Sequence, residues 1–86
     1  MEYSLNKIKV LFFATLRDKT GTKAIELEIP NGMTIGQAKE MLIGQYPKLN
    51  GFMQTSLATI NFEYRFDEIE IPQHAEIAFF PPVSGG

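Results

Sequence analysis

Ile77-Ala-Phe-Phe-Pro-Pro-Val-Ser-Gly-Gly86 closes the chain, and the reading of its first four residues decides the fold. A short apolar run, rich in aromatics and stopped by two prolines, reads as a strand over residues 76–80. Side chains alternate across a strand, so Ile77 and Phe79 face one way while Ala78 and Phe80 face the other. Apolar residues on both faces mark a strand at the middle of a sheet. One other segment shares this character, residues 7–14, where Ile8, Val10 and Phe12 alternate with Leu11 and Phe13. The first and last strands are therefore expected side by side at the sheet centre.

Residues 24–29 alternate strictly, with Ile25, Leu27 and Ile29 on one face and Glu26 and Glu28 on the other. This is a half-buried strand, paired as a hairpin with the first. The intervening residues 15–22 are polar, contain Gly21, and read as a turn or loop. Thr34 with Gln37 three positions on fits a capping box, and the helix it opens should run to about Tyr46, where Pro47 prevents continuation. Ile35, Ala38, Met41 and Leu42 share a face at helical spacing, with Gln37, Lys39 and Glu40 pointing away. Residues 47–56 read as an irregular connection with room for a short helical turn, residues 57–62 as a third strand and 64–66 as a weaker fourth. The fold class that follows is α+β, a mixed sheet of four to five strands with one main helix packed on one face. The expected division is a domain over residues 1–80 and a flexible tail over 81–86.

One helix covers one face only. The larger apolar set, Ile8, Val10 and Phe12 with Ile77 and Phe79, is assigned to the helix. Leu11, Phe13, Ala78 and Phe80 then lie on the open face as an apolar patch of the kind that marks an interface. In the competing reading the connection over residues 47–56 folds over them.

Composition removes most other chemistries. The chain of 86 residues has room for one domain and one core. It has no cysteine, hence no disulfide, no thiolate metal site and no cysteine nucleophile, and any sulfur chemistry must use the terminus. A formal charge of −2 with lysines spread among acids offers no basic stripe for nucleic acid. The longest uninterrupted apolar run, residues 10–14, is far too short to span a bilayer, and the N-terminus has no secretory pattern, so no membrane association and a cytoplasmic location are expected. His74, the single histidine, follows Pro72-Gln73 in a turn and has no partner for a triad or metal site. Glu26 with Glu28, and Asp67-Glu68 with Glu70, read as solvated surface. No phosphate-binding glycine loop occurs, so ATP would be bound by another protein. Arg17 and Lys19 read as solubilising residues placed near the sheet end from which the tail leaves. What remains is Gly85-Gly86. Glycines lack a Cβ and can thread a narrow channel in a partner enzyme, presenting the Gly86 carboxylate as a substrate.

Val10-Leu-Phe-Phe-Ala-Thr-Leu-Arg-Asp-Lys-Thr-Gly21, Ala58-Thr-Ile-Asn-Phe-Glu-Tyr64 and above all Ala78-Phe-Phe-Pro-Pro-Val-Ser-Gly-Gly86 resemble the small, sulfur-carrying subunits of molybdopterin synthase, of the MoaD/ThiS ubiquitin-like type. The resemblance spans nearly the whole chain and implies a ubiquitin-like β-grasp fold. The chain departs from the pattern at His74-Ala75, where relatives tend to carry Gly-Asp.

The resemblance also implies a mechanism. An adenylyltransferase of the ubiquitin-activating type uses ATP to convert the Gly86 carboxylate to an acyl adenylate. A sulfur donor then attacks, leaving a thiocarboxylate that donates sulfur to a cyclic pterin precursor held by the large subunit. Gly86 carries the sulfur, Gly85 gives clearance, and Pro81 and Pro82 stiffen the exit by fixing φ. Leu11, Phe13, Ala78 and Phe80, with Pro81, Pro82 and Val83, dock the partners. On this reading the chain binds no cofactor or metal, is not an enzyme alone, and joins the large subunit in a heterotetramer. The alternatives are a carrier for thiamine or transfer-RNA thiolation, a protein modifier, or a β-grasp interaction module with inert terminal glycines.

Overall fold

The computed structural model describes residues 5–82. In chain order it has β1 (Leu5–Phe12), α1 (Thr15–Thr20), β2 (Ala24–Pro30), α2 (Ile35–Gln45), a 3-10 turn (Pro47–Leu49), β3 (Leu57–Ile60), β4 (Glu63–Arg65) and β5 (Glu76–Phe80). The strands form one sheet in the order β2-β1-β5-β3-β4. β1 and β5 run parallel at its centre, with Val10 opposite Ile77 and Phe12 opposite Phe79, and the other pairings are antiparallel. The two-sided apolar character of β1 and β5 thus corresponds to strands flanked on both edges, β5 being the central one of the five.

The helix lies where the larger apolar set requires. Ile8, Val10, Phe12, Ile77 and Phe79 are fully buried and share one core with Ile35, Ala38 and Leu42 of α2. The capping box is formed: Gln37 N–H donates to Thr34 Oγ1 at 3.2 Å, and the Gln37 side chain accepts from Thr34 N–H at 3.0 Å. The connection after α2 adds Leu49 and Met53 to this same core. It packs with the helix and does not cover Leu11, Phe13 and Phe80.

Four details differ from the sequence reading. Residues 15–20, read as loop, form α1, which Gly21 closes in the left-handed region at φ 77°, its N–H donating to Arg17 O at 2.8 Å. So short a helix has little stability of its own. Burial of Leu16 against the core holds it. The third strand stops at Ile60, because Asn61 and Phe62 take φ of 51° and 74°. Those values are the signature of a two-residue type I′ hairpin, which moves β4 to residues 63–65. Lys39 does not point into solvent: it is 4% exposed, and its Nζ donates to Ser56 O at 2.8 Å and pairs with Asp67 Oδ1 at 2.9 Å. Asp67 is accordingly a structural anchor more than solvated surface, and its own carbonyl accepts from Gly36 N–H at 2.9 Å, over the first turn of α2.

The segment leading into β5 is tied down by one side chain. Asn6 of β1 is buried; its Nδ2 donates to Pro72 O at 2.8 Å and Ile71 O at 3.3 Å, while its Oδ1 accepts from His74 N–H at 2.7 Å. His74 sits there in the left-handed region at φ 58°. Histidine is among the residues found there more often than most, which explains how the turn forms without a glycine.

Candidate docking face and tail exit

Because β1 and β5 are parallel, both end at the same edge of the sheet, and the chain leaves β5 there. Phe13 N–H donates to Phe79 O at 3.2 Å, carrying the central ladder one step past the end of β1. This step brings the Phe13 and Phe80 rings together on the face away from α2, stacked with centroids 4.5 Å apart and 11° between planes. Pairs of this geometry contribute attraction beyond simple burial. Phe13 nevertheless remains 40% exposed, and Phe80 and Leu11 are half-buried. Ala78, opposite Leu11, is covered by its larger neighbours and forms the floor of the patch.

The patch is wider than the sequence reading made it. Leu57 lies opposite Phe80 and is 38% exposed, while Thr59 lies opposite both Ala78 and Tyr64. Tyr64 and Phe66 continue the apolar surface toward the sheet edge and, with Leu57, Ala58 and Arg65, line an open depression of about 330 Å³. The sequence signal for these residues is weak, since β3 has four residues and β4 three, and only the register with β5 shows which way they face. The other half of the same face is charged, with Lys7 opposite Glu28 and Lys9 opposite Glu26 and Glu76. The apolar half is the one at the tail exit.

Of the remaining sequence-derived residues, Pro81 is half-buried and Pro82 exposed just past β5. Val83, Gly85 and Gly86 lie outside the described residues. Arg17 and Lys19, on α1 directly after β1, belong to the same end of the sheet, and Lys19 Nζ stands 4.7 Å from the centroid of the Phe52 ring. His74 is exposed, and no group of three or more His, Asp or Glu side chains among the described residues is close enough to hold a metal ion.

This arrangement sets an exposed aromatic patch beside the point where the chain leaves β5. The chain is 34% identical over 80 residues to the molybdopterin synthase sulfur carrier subunit of Arabidopsis thaliana, covering 93% of this chain and 83% of that protein. Its fold is similar to that of small archaeal modifier protein 1, SAMP1, of Haloferax volcanii, with a TM-score of 0.80 and 26% identity over 94% of this chain and all of that one. The fold alone is also shared with a chain in the complex of subunits 1 and 2 of molybdopterin-converting factor from Helicobacter pylori, with a TM-score of 0.64 and 14% identity over 93% and 99% of the two chains. The model of the ThiS family matches residues 10–86, from the middle of β1 through the terminal glycines, and the chain belongs to that family.

Proposed function

We propose that this chain is a sulfur carrier and the small subunit of a molybdopterin synthase, acting through its tail and not through an active site of its own. The observation that supports this most is its 34% identity to a molybdopterin synthase sulfur carrier subunit across nearly its whole length. The position of the apolar patch beside the tail exit is what such a role requires. Residues 81–86 serve as the tail. The Gly86 carboxylate attacks the α-phosphate of ATP on an adenylyltransferase, releasing pyrophosphate and giving an acyl adenylate. A sulfur donor at the sulfide level attacks the acyl carbon and displaces AMP. The thiocarboxylate sulfur then bonds to carbon of a cyclic pterin precursor, and water cleaves the resulting thioester between acyl carbon and sulfur, leaving the sulfur on the pterin and returning Gly86 to a carboxylate. Leu11, Phe13 and Phe80 dock the large subunit, which holds the pterin. The free energy of docking comes from the aromatic centre, where removal of one anchor commonly costs about 2 kcal/mol or more. The chain functions in the cytoplasm; none of its described helices is long and apolar enough to cross a membrane.

The test is mass spectrometry of the C-terminal peptide, from protein of the native host or protein incubated with activating enzyme, ATP and a sulfur donor. Sulfur in place of one terminal oxygen is the expected result. A tail that stays a plain carboxylate with every activating partner tried refutes the carrier reading.

The likeness to SAMP1 favours a second reading, in which the same adenylate is attacked by a lysine amine and the chain becomes a protein modifier. The two diverge after activation. Tryptic digests of host proteins containing lysines that bear residues 66–86 of this chain, Arg65 being its last lysine or arginine, support the modifier role, and thiocarboxylate without such branched peptides supports the carrier alone.

A further inference from the structure

The free edge of the sheet at β4 is built to pair with itself, and we infer that a second copy of this chain adds there, antiparallel and centred on Tyr64. β4 lies at the end of the strand order, with β3 as its single neighbour among the described residues. All of residues 61–70 are exposed. Asn61 N–H donates to Glu76 O at 2.9 Å, so the backbone of residue 61 points to β5 and that of Ile60 points to β4. Glu63 and Arg65, opposite Ile60 and Ala58, therefore spend their backbone groups on β3. The N–H and C=O of Tyr64 turn outward, unpaired.

The sequence of this edge, Phe62-Glu63-Tyr64-Arg65-Phe66, is self-complementary. A second copy run antiparallel about Tyr64 sets each Glu63 against the Arg65 of the other copy, twice by symmetry. Within one chain Glu63 Oε1 and Arg65 Nη2 already pair at 2.7 Å, so the dimer closes a ring of four alternating charges. On the opposite face Tyr64 meets Tyr64, with Phe62 of the turn and Phe66 just past the strand on either side of that pair. These aromatics are 69%, 88% and 80% exposed in the single chain, and cross-strand aromatic pairs are a standard source of sheet stability. The edge has no lysine and no proline to prevent such pairing, and the two charges that it carries on the α2 side, Glu63 and Arg65, are of opposite sign and so complement a second copy.

The other edge shows the contrast. The same operation on β2, centred on Leu27, would set Glu26 against Glu28 of the second copy, like charge against like. Of the two edges only β4 attracts its own kind. The operation leaves both open faces on the same side of one ten-stranded sheet. Since β5 is parallel to β4, the C-terminal ends of the two β5 strands point in opposite directions, and pairing does not require the Phe13 and Phe80 stack.

Sedimentation of the full chain across a wide concentration range tests this. A reversible monomer–dimer equilibrium is expected, with Glu63→Arg or Arg65→Glu raising the dissociation constant about tenfold, and the double variant returning it close to the original value. In a chain without other thiols, Tyr64→Cys should cross-link copies on oxidation far faster than Glu28→Cys. A chain monomeric at every concentration overturns the inference. So does a dimer that ignores both charge reversals, one abolished by Phe80→Asp and not by the edge variants, or one in which Tyr64→Cys links no faster than Glu28→Cys.

Discussion

Lys39 holds one ammonium between two acceptors, the carbonyl of Ser56 and the carboxylate of Asp67, and so joins α2 to both ends of the β3–β4 hairpin. Lys39→Met keeps the stem but leaves the Ser56 carbonyl without its donor. Asp67, being half-exposed, can return to water. The expected loss is therefore about 1–3 kcal/mol, set by the orphaned carbonyl, and is read from urea unfolding. Phe13 and Phe80 test the opposite situation. Phe13→Asp should leave the circular dichroism spectrum and unfolding cooperativity intact while weakening large-subunit binding by about 2 kcal/mol or more in a titration. Phe79→Asp, one residue from Phe80 but fully buried, should unfold the domain, since a charge in that core has no partner. A folded Phe79→Asp together with an unfolded Phe13→Asp would mean the two faces are reversed.

Among the elements, the turn before β5 depends on β1 through a single residue. Asn6→Ala removes three hydrogen bonds at once, to Ile71, Pro72 and His74. It should cost about 2–3 kcal/mol, with hydrogen exchange accelerated at His74 and along the start of β5. The central strands, α2 and its cap could be read from sequence because each is a periodic pattern with a local cause: two-sided apolar alternation in β1 and β5, and Thr34 with Gln37 at the helix start. α1 could not, since its one apolar residue, Leu16, makes it a helix only through burial supplied by the rest of the chain. Lys39 escaped for a related reason, because its acceptors come from residues 17 and 28 positions further along. For the docking face, Leu11, Phe13, Ala78 and Phe80 followed from alternation in long strands. Leu57, Tyr64 and Phe66 did not, because β3 and β4 are too short for alternation to establish which way a residue points without the register of their neighbours.

For the whole molecule, scaffold and tail should separate cleanly. Removing Gly85-Gly86, or adding one residue after Gly86, should shift stability by no more than about 0.5 kcal/mol, as is usual for changes away from the core. Sulfur transfer should be lost in both, because displacement of a reacting carbonyl by about 1 Å can cost a hundredfold in rate. Binding of the large subunit should persist, which makes the truncated chain a competitive inhibitor of the intact one. A reconstituted synthase assay decides: cofactor formed from either altered chain would deny Gly86 its role.

The parallel pairing of β1 with β5 also governs when the molecule can come into being. Lys9 is matched with Glu76, so the middle of the sheet joins segments from opposite ends of the chain. Such high contact order slows folding, because the closure entropy of the long intervening loop must be met before the ladder stabilises anything. It also means that a nascent chain on the ribosome lacks the ladder until its last strand has emerged. A fragment ending at residue 70 should accordingly be unstructured by circular dichroism despite containing α2 and four of the five strands. Interrupted synthesis would then yield chains that fail to fold, and these go to proteolysis and do not compete for partners with a docking face and no tail.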